Sequence, residues 1–174
     1  MKGRRILLGS ILAVVLGAPV MMAPPAAWAQ SQAVSHDPGV RPVPEIDHIY
    51  RQFSLAYRDL DAKAVAALYT RDALYLQPGR EIQQGRVPIE ATFGRFFLHS
   101  RSVGLRLDIS FRIVAREVAG GLAYDVGVFT LVTSREGEEV GRSFGKFVNV
   151  SRPDDDGAWR FQVGSHSDLD APGG

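Results

Sequence analysis

The chain contains no cysteine. That absence excludes a disulfide framework, a thiol nucleophile, a cysteine-ligated metal and a lipid-anchored cysteine at a signal junction. A small exported domain so composed relies on its own core or on a second subunit. A membrane-spanning run is also missing. The apolar stretch over residues 6–16 is broken at Gly17, Pro19, Pro24 and Pro25, short of the roughly 20 apolar residues a bilayer requires. No lysine or arginine cluster is present to offset phosphate charge, which sets nucleic-acid binding aside. Gly141-Arg142-Ser143-Phe144-Gly145 has the letters of Gly-x-Ser-x-Gly but runs into an expected strand instead of turning from strand to helix, so it makes no nucleophile elbow, and no phosphate loop or dinucleotide fingerprint occurs. The histidines at 36, 48, 99 and 166 lack ligand spacing, so no metal and no cofactor is expected.

What is present begins with an export signal over residues 1–29. Lys2, Arg4 and Arg5 give a positive start, the apolar stretch follows, and Ala27-Trp28-Ala29 closes it with a small-x-small cleavage pattern. Arg4-Arg5 lacks the polar surroundings of a twin-arginine signal, so ordinary secretion to the periplasm or medium is expected, with cleavage after Ala29. The alternative is an uncleaved anchor. Cleavage removes three basic residues and no acidic one. The 20 basic residues then fall to 17 against 19 acidic, and the net charge goes from +1 to −2. The rest is long enough for one domain, and no internal repeat is visible.

Residues 30–43 are polar and interrupted by Pro38 and Gly39, which reads as a flexible lead-in; residues 170–174 read as a loose tail. Between them, 44–169 form the domain. Pro44 and Glu45 suit a first helical turn, and Ile46, Ile49, Tyr50, Phe53, Tyr57 and Leu60 follow at a period of about 3.6 residues. Asp61 can cap a shorter helix carrying Val65, Leu68 and Tyr69 on one face. A short strand is expected over 73–77, ended by Pro78-Gly79. A third helix starts near Pro88, with Ile89, Phe93, Phe96 and Phe97 inward.

After Ser102 the period changes to 2. Leu105, Leu107, Ile109, Phe111 and Ile113 alternate with polar residues, the mark of a half-buried strand. Further strands are expected over 122–133, 142–152 and 159–167, separated by turns at Gly120-Gly121, Glu136-Gly137 and Pro153 to Gly157. Helices followed by a strand meander imply an α+β layer arrangement. The strand starting at Leu122 is apolar or small on both faces, with Asp125 its lone charge. An antiparallel strand is commonly wet on one face, so a second copy packed through the sheet, a homodimer, is expected to cover the other. A merely central strand shielded by its neighbours' long side chains is the alternative.

The order of elements and several short motifs resemble the nuclear-transport-factor-2-like, or SnoaL-like, superfamily, nearest to a domain-of-unknown-function group beside the SgcJ/EcaC-type proteins. Carrying the resemblance over 44–169 are Leu60-Asp61, Ala67-Leu68-Tyr69, Asp72-Ala73, Pro78-Gly79 and Gly85. They are joined by Ala123 to Gly127, Gly145-Lys146-Phe147 and Asp156 to Phe161. It implies a cone-shaped, cystatin-like fold: three N-terminal helices packed on a curved, mostly antiparallel sheet around a cavity that opens at the wide end. Many such proteins are dimers. The superfamily's ketosteroid isomerases use a carboxylate base and an enolate-stabilising tyrosine. The matching positions here hold Gln77 and Phe53, so isomerase chemistry of that kind is not expected.

The resemblance turns Tyr75 and Gln77 toward the cavity and makes Phe53, Tyr57, Tyr69, Phe93 and Phe97 its further lining. Gln77 either orients a carbonyl or is solvated at the rim, and Tyr57 and Tyr69 are either core packing or pocket groups. Asp125 is either a buried general acid–base group or half of an ion pair with Lys146, Arg112 or Arg106. His166 ends the last strand, where a histidine suits proton transfer, although a satisfied or surface histidine is the plainer reading. Two functions follow. One is an exported protein holding a small apolar molecule in its cone. The other is a cofactor-free isomerase, cyclase or dehydratase using Asp125 or His166. An assembly module built on the sheet face is a third.

Overall fold

A computed structural model describes residues 33–170. The export signal and residues 171–174 of the expected tail lie outside the described residues. Ten elements follow one another: β1 (Val34–His36), α1 (Pro44–Asp59), α2 (Ala62–Ala67), β2 (Tyr69–Leu76), β3 (Gln83–Gln84) and α3 (Arg86–Ser102), then β4 (Arg106–Ala119), β5 (Leu122–Arg135), β6 (Glu138–Pro153) and β7 (Trp159–Leu169). The strands form one sheet in the order β1-β4-β5-β6-β7-β2-β3, antiparallel except where β1 meets β4 and β2 meets β7. The α+β class holds, but the helices do not precede the sheet as one N-terminal block. One strand comes before α1 and two separate α2 from α3.

Pro44 stands in the first turn of α1, where its missing N–H costs nothing, and Glu45 and Asp47 complement the positive helix end. Ile46, Ile49, Tyr50, Phe53 and Tyr57 are buried along one side. The helix stops where Leu60 turns left-handed at φ 55°. The carboxylate of Asp61 then accepts from the Ala64 amide at 2.9 Å and starts α2.

Three segments differ from the sequence reading. Residues 34–36 are a strand rather than part of a flexible lead-in. Phe111 N–H donates to the Ala33 carbonyl, Asp37 N–H donates to that of Ile113, and Val34 is buried. Three residues ahead of a Pro-Gly turn carry too little pattern to announce a strand. Tyr69 does not continue the face of α2 but opens β2, because the chain there pairs with β7: Phe161 N–H donates to the Leu68 carbonyl and Arg86 to that of Tyr69. The third difference is a bulge. The alternation of β4 runs unbroken to Ile113, which faces Gly127, but Ala115 faces Val126, so Val114 is an extra residue. Beyond it the inward parity is reversed, and Arg116 points into the protein.

The core lies between α1 and the inner sheet face, where Tyr50 meets the rings of Phe111, Phe147 and Phe161 at centroid distances of 5.0, 5.7 and 5.3 Å. Two glycines make room for it. A Cβ on Gly127 would lie 2.5 Å from the Phe147 ring, and one on Gly145 would collide with Phe129. Each phenylalanine is the cross-strand partner of the glycine it covers. On the outer face Tyr124, Val126 and Val148 are exposed.

Candidate functional site

A cavity of about 260 Å³ opens between the helices and the sheet, just under the ~300–1,000 Å³ usual for drug-sized ligands. Its helical wall comes from Phe53 and Tyr57 on α1 and from Phe93 and Phe96 on α3. Tyr69 and Tyr75 on β2 and Gln77 just past its end close one side, while Phe129, Asn149 and His166 supply the sheet side. The rings contact one another: Phe53 stacks on Tyr57 at 5.1 Å, and Tyr75 stacks between Phe93 at 5.5 Å and His166 at 5.7 Å.

Six of the seven residues assigned to the pocket from sequence therefore line it. The seventh does not: Phe97 is buried behind the wall, 5.0 Å from Tyr57, and its neighbour Phe96 borders the cavity instead. Adjacent residues on a helix point about 100° apart, and the sequence pattern alone does not say which of the two meets open space.

The tyrosine hydroxyls are weak acids here. Burial pushes Tyr57 and Tyr69 well above the ordinary value, with proximity to Tyr75 adding to it, and burial likewise raises Tyr75, which a hydrogen bond with Gln77 only partly offsets. They stay protonated. Gln77 is also tied into the rim, its Oε1 accepting from Gln83 at 3.1 Å, while Gln83 accepts from Thr92 at 2.9 Å. Burial lowers the pKa of His166, against a smaller opposing effect of Asp168. Near neutral pH its imidazole is uncharged, with one nitrogen able to donate and the other to accept.

Asp125 is placed elsewhere. It is 1% exposed and belongs to a closed polar cluster beneath the cavity. Arg116 donates to it twice, from Nε to Oδ1 at 2.6 Å and from Nη2 to Oδ2 at 2.9 Å, and Tyr50 donates to Oδ2 at 2.8 Å. Arg116 also donates to Asp47 at 2.7 Å, and His36 lies 3.0 Å from the same Asp47 oxygen. Burial alone would lower the Arg116 pKa; hydrogen bonds and charge from Asp125 and Asp47 outweigh it and raise it. The ion-pair reading of Asp125 is the one this geometry supports, and the partner is neither Lys146, Arg112 nor Arg106. Asp125 does not border the cavity, so it is not placed to exchange a proton with a bound molecule. Its partner had a signal in the sequence: counting back from the two-residue Gly120-Gly121 turn, Arg116 falls directly opposite Asp125.

No protein-family profile matches the chain, and no curated protein matches it in sequence. Solved structures do match in shape. A nuclear-transport-factor-2-like protein with a cystatin-like fold from Novosphingobium aromaticivorans gives a TM-score of 0.62 at 20% identity, over 73% of this chain and 81% of its own. The chain has the nuclear-transport-factor-2-like fold. A ketosteroid isomerase-like protein from Erwinia carotovora atroseptica matches at 0.56 and 17% identity, over 72% of this chain and 95% of its own. A candidate dehydratase of the nuclear-transport-factor-2-like family from Streptomyces avermitilis matches at 0.59 and 16%, over 74% and 96%. At these identities the likeness is one of fold.

Proposed function

We propose that the protein is exported and that its cone holds a small, largely aromatic or apolar molecule without transforming it. The observation that carries this reading is the cavity wall, built of stacked rings, with Phe53 and Gln77 where the fold's isomerases keep hydroxyl and carboxylate. Aromatic walls give area-driven affinity, and a few polar groups orient the guest. Export rests on the composition of residues 1–29, and the grouping beside SgcJ/EcaC-type proteins on the motifs between Leu60 and Phe161. The exposed Tyr124, Val126 and Val148 on the outer sheet face support a homodimer joined through that face. A second reading rests on His166. A neutral imidazole in the cavity wall can transfer a proton, which would make the protein a cofactor-free isomerase, cyclase or dehydratase.

Native mass spectrometry of the mature protein from periplasmic extract tests this. The expected result is a dimer starting at Gln30 with a small molecule retained, released unchanged on denaturation. Recovery of a chemically altered compound after incubation, abolished in His166→Gln, would move the protein to the second reading. A monomer would remove the sheet-face dimer.

A further inference from the structure

One polar group of the cavity wall has its hydrogen-bonding sense fixed by a buried ion pair. Asn149 lies on the inner face of β6, paired in register with Asp125 on one side and Gly164 on the other, and it borders the cavity. Its amide sits 3.3 Å from the Tyr50 hydroxyl oxygen. Both oxygens of Asp125 accept from the Arg116 guanidinium, so Asp125 has only lone pairs to offer Tyr50, and at 2.8 Å Tyr50 must spend its single hydrogen there. The Tyr50 oxygen can then only accept, and only the NH₂ side of Asn149 can face it. The reverse orientation would set two acceptor oxygens against each other. This order follows from Arg116 and Asp125 and does not depend on how the amide is drawn. Burial, with the nearby charge of Asp125 adding to it, holds the Tyr50 proton firmly.

The other end of the amide follows. Among the described residues, Asn149 Oδ1 has no protein partner and no buried side-chain polar atom is left unpaired. Oδ1 is therefore accessible, and the open space that Asn149 borders is the cavity. The hydroxyls of Tyr57, Tyr69 and Tyr75 can rotate to give or take a hydrogen bond, and neutral His166 offers one of each. Gln77, its oxygen already taken by Gln83, has only its NH₂ side left to offer, and the Asp168 carboxylate is a second acceptor in the lining. Asn149 cannot adapt without leaving Tyr50.

We infer that Asn149 is a specificity-determining residue that presents a fixed carbonyl acceptor to the cavity, so that the preferred guest is an aromatic or apolar molecule carrying a hydroxyl or N–H donor at its buried end. Tyr50 acts through Asn149 as a positioning residue. This rests on the ligand-binding reading of the cavity and narrows the class of ligand.

The test uses three probes of one shape: naphthalene, 2-naphthol, which can donate, and 2-naphthaldehyde, which can only accept, each titrated calorimetrically into the mature protein. The expected order is 2-naphthol tighter than 2-naphthaldehyde by about fivefold to tenfold, the worth of one net hydrogen bond. In Asn149→Leu the ratio of 2-naphthol to 2-naphthaldehyde affinity is expected to fall toward one, whatever the change in naphthalene binding. In Tyr50→Phe, which frees the amide to turn over, the preference is expected to shrink while total affinity changes little; a purely structural role would weaken all three probes alike. Should either variant fail to fold, the side-chain amide of Asn149 in the wild type serves instead. One of its two NH₂ protons is expected to be shielded from exchange by Tyr50, and adding 2-naphthol leaves that bond intact. Equal binding of 2-naphthol and 2-naphthaldehyde to the wild type overturns this inference alone. Failure of all three to bind, naphthalene included, overturns the cavity reading and this inference with it.

Discussion

Ahead of Val114, β4 turns Leu107, Ile109 and Phe111 toward the helices, and β5 places Phe129 and Leu131 beside them; beyond it the same two strands turn Arg116 and Asp125 inward. The first half borders a cavity with adaptable hydroxyls and an uncharged imidazole. The second is closed, with each carboxylate and guanidinium paired. The contrast teaches how one sheet face serves two ends. An aromatic wall can stand beside open space because losing a neighbour forfeits only dispersion contacts. A buried ion pair cannot, because any missing partner leaves a charge in low dielectric. The bulge makes the change of chemistry abrupt, and Asn149 is where the closed half shows itself to the open one.

The comparison is broken most severely by removing the cation. Arg116→Met leaves Asp47 and Asp125 both buried without their guanidinium, and the expected loss is about 3–5 kcal/mol of folding stability. Urea unfolding followed by Trp159 fluorescence measures it. Adding Asp47→Asn and Asp125→Asn to the variant is expected to restore part of the loss, since neutral amides are less costly to bury. A loss below about 1 kcal/mol would mean that water reaches the cluster and that the two halves differ less than their geometry states.

Much of the open half was legible in the sequence because it is periodic. The 3.6-residue stripe on α1 and the strict alternation to Ile113 each name the residues that face inward, and the motif order placed Tyr75 and Gln77 on the cavity side. The closed half was only half legible. Asp125 stood out as the lone charge in an apolar strand, and its need for a partner followed from burial. Arg116 did not stand out, because the alternation of β4 would have put it in water and nothing in the local residues marks Val114 as an extra one. The two-residue turn fixes the register beyond the bulge, and counting back across it, not alternation along β4, is what finds the pair. Strand β1 escaped for a different reason: three residues that pair with the edge of β4 have no period of their own.

The open half can be sharpened through its glycines. Gly145→Ala would drive a methyl group into the Phe129 ring and to 3.0 Å from the Ser167 carbonyl oxygen. Overpacking of this kind costs about 1–3 kcal/mol. The ring has open space on its cavity side, so the displacement is expected to fill part of the cavity and weaken naphthalene binding as well as lower the denaturation midpoint. Phe129→Leu in the same chain should recover part of both losses, leaving the share due to Ser167. If stability falls while naphthalene affinity holds, Phe129 has moved elsewhere and does not set the cavity's volume.

The smallest effect belongs to His166, and its sign follows from which state holds the proton. Burial pushes its native pKa below the ordinary 6.5 and the charge of Asp168 partly opposes this. Between the native pKa and about 6.5 the unfolded chain binds more protons than the native one, so stability rises with pH across that window. The contribution is fully present above about pH 6.5, declines as pH falls below it, and levels off beneath the native pKa. Titrating the His166 Cε1 proton by NMR is expected to give a midpoint below 6.5, lowered further in Asp168→Asn and raised when a neighbouring wall is opened by Phe129→Ala. In His166→Gln the stability change across this window should flatten. A midpoint at or above 6.5 in the wild type would mean that the imidazole is solvated, and that the open half of the inner face admits water beside the stacked rings of Tyr75 and Phe93.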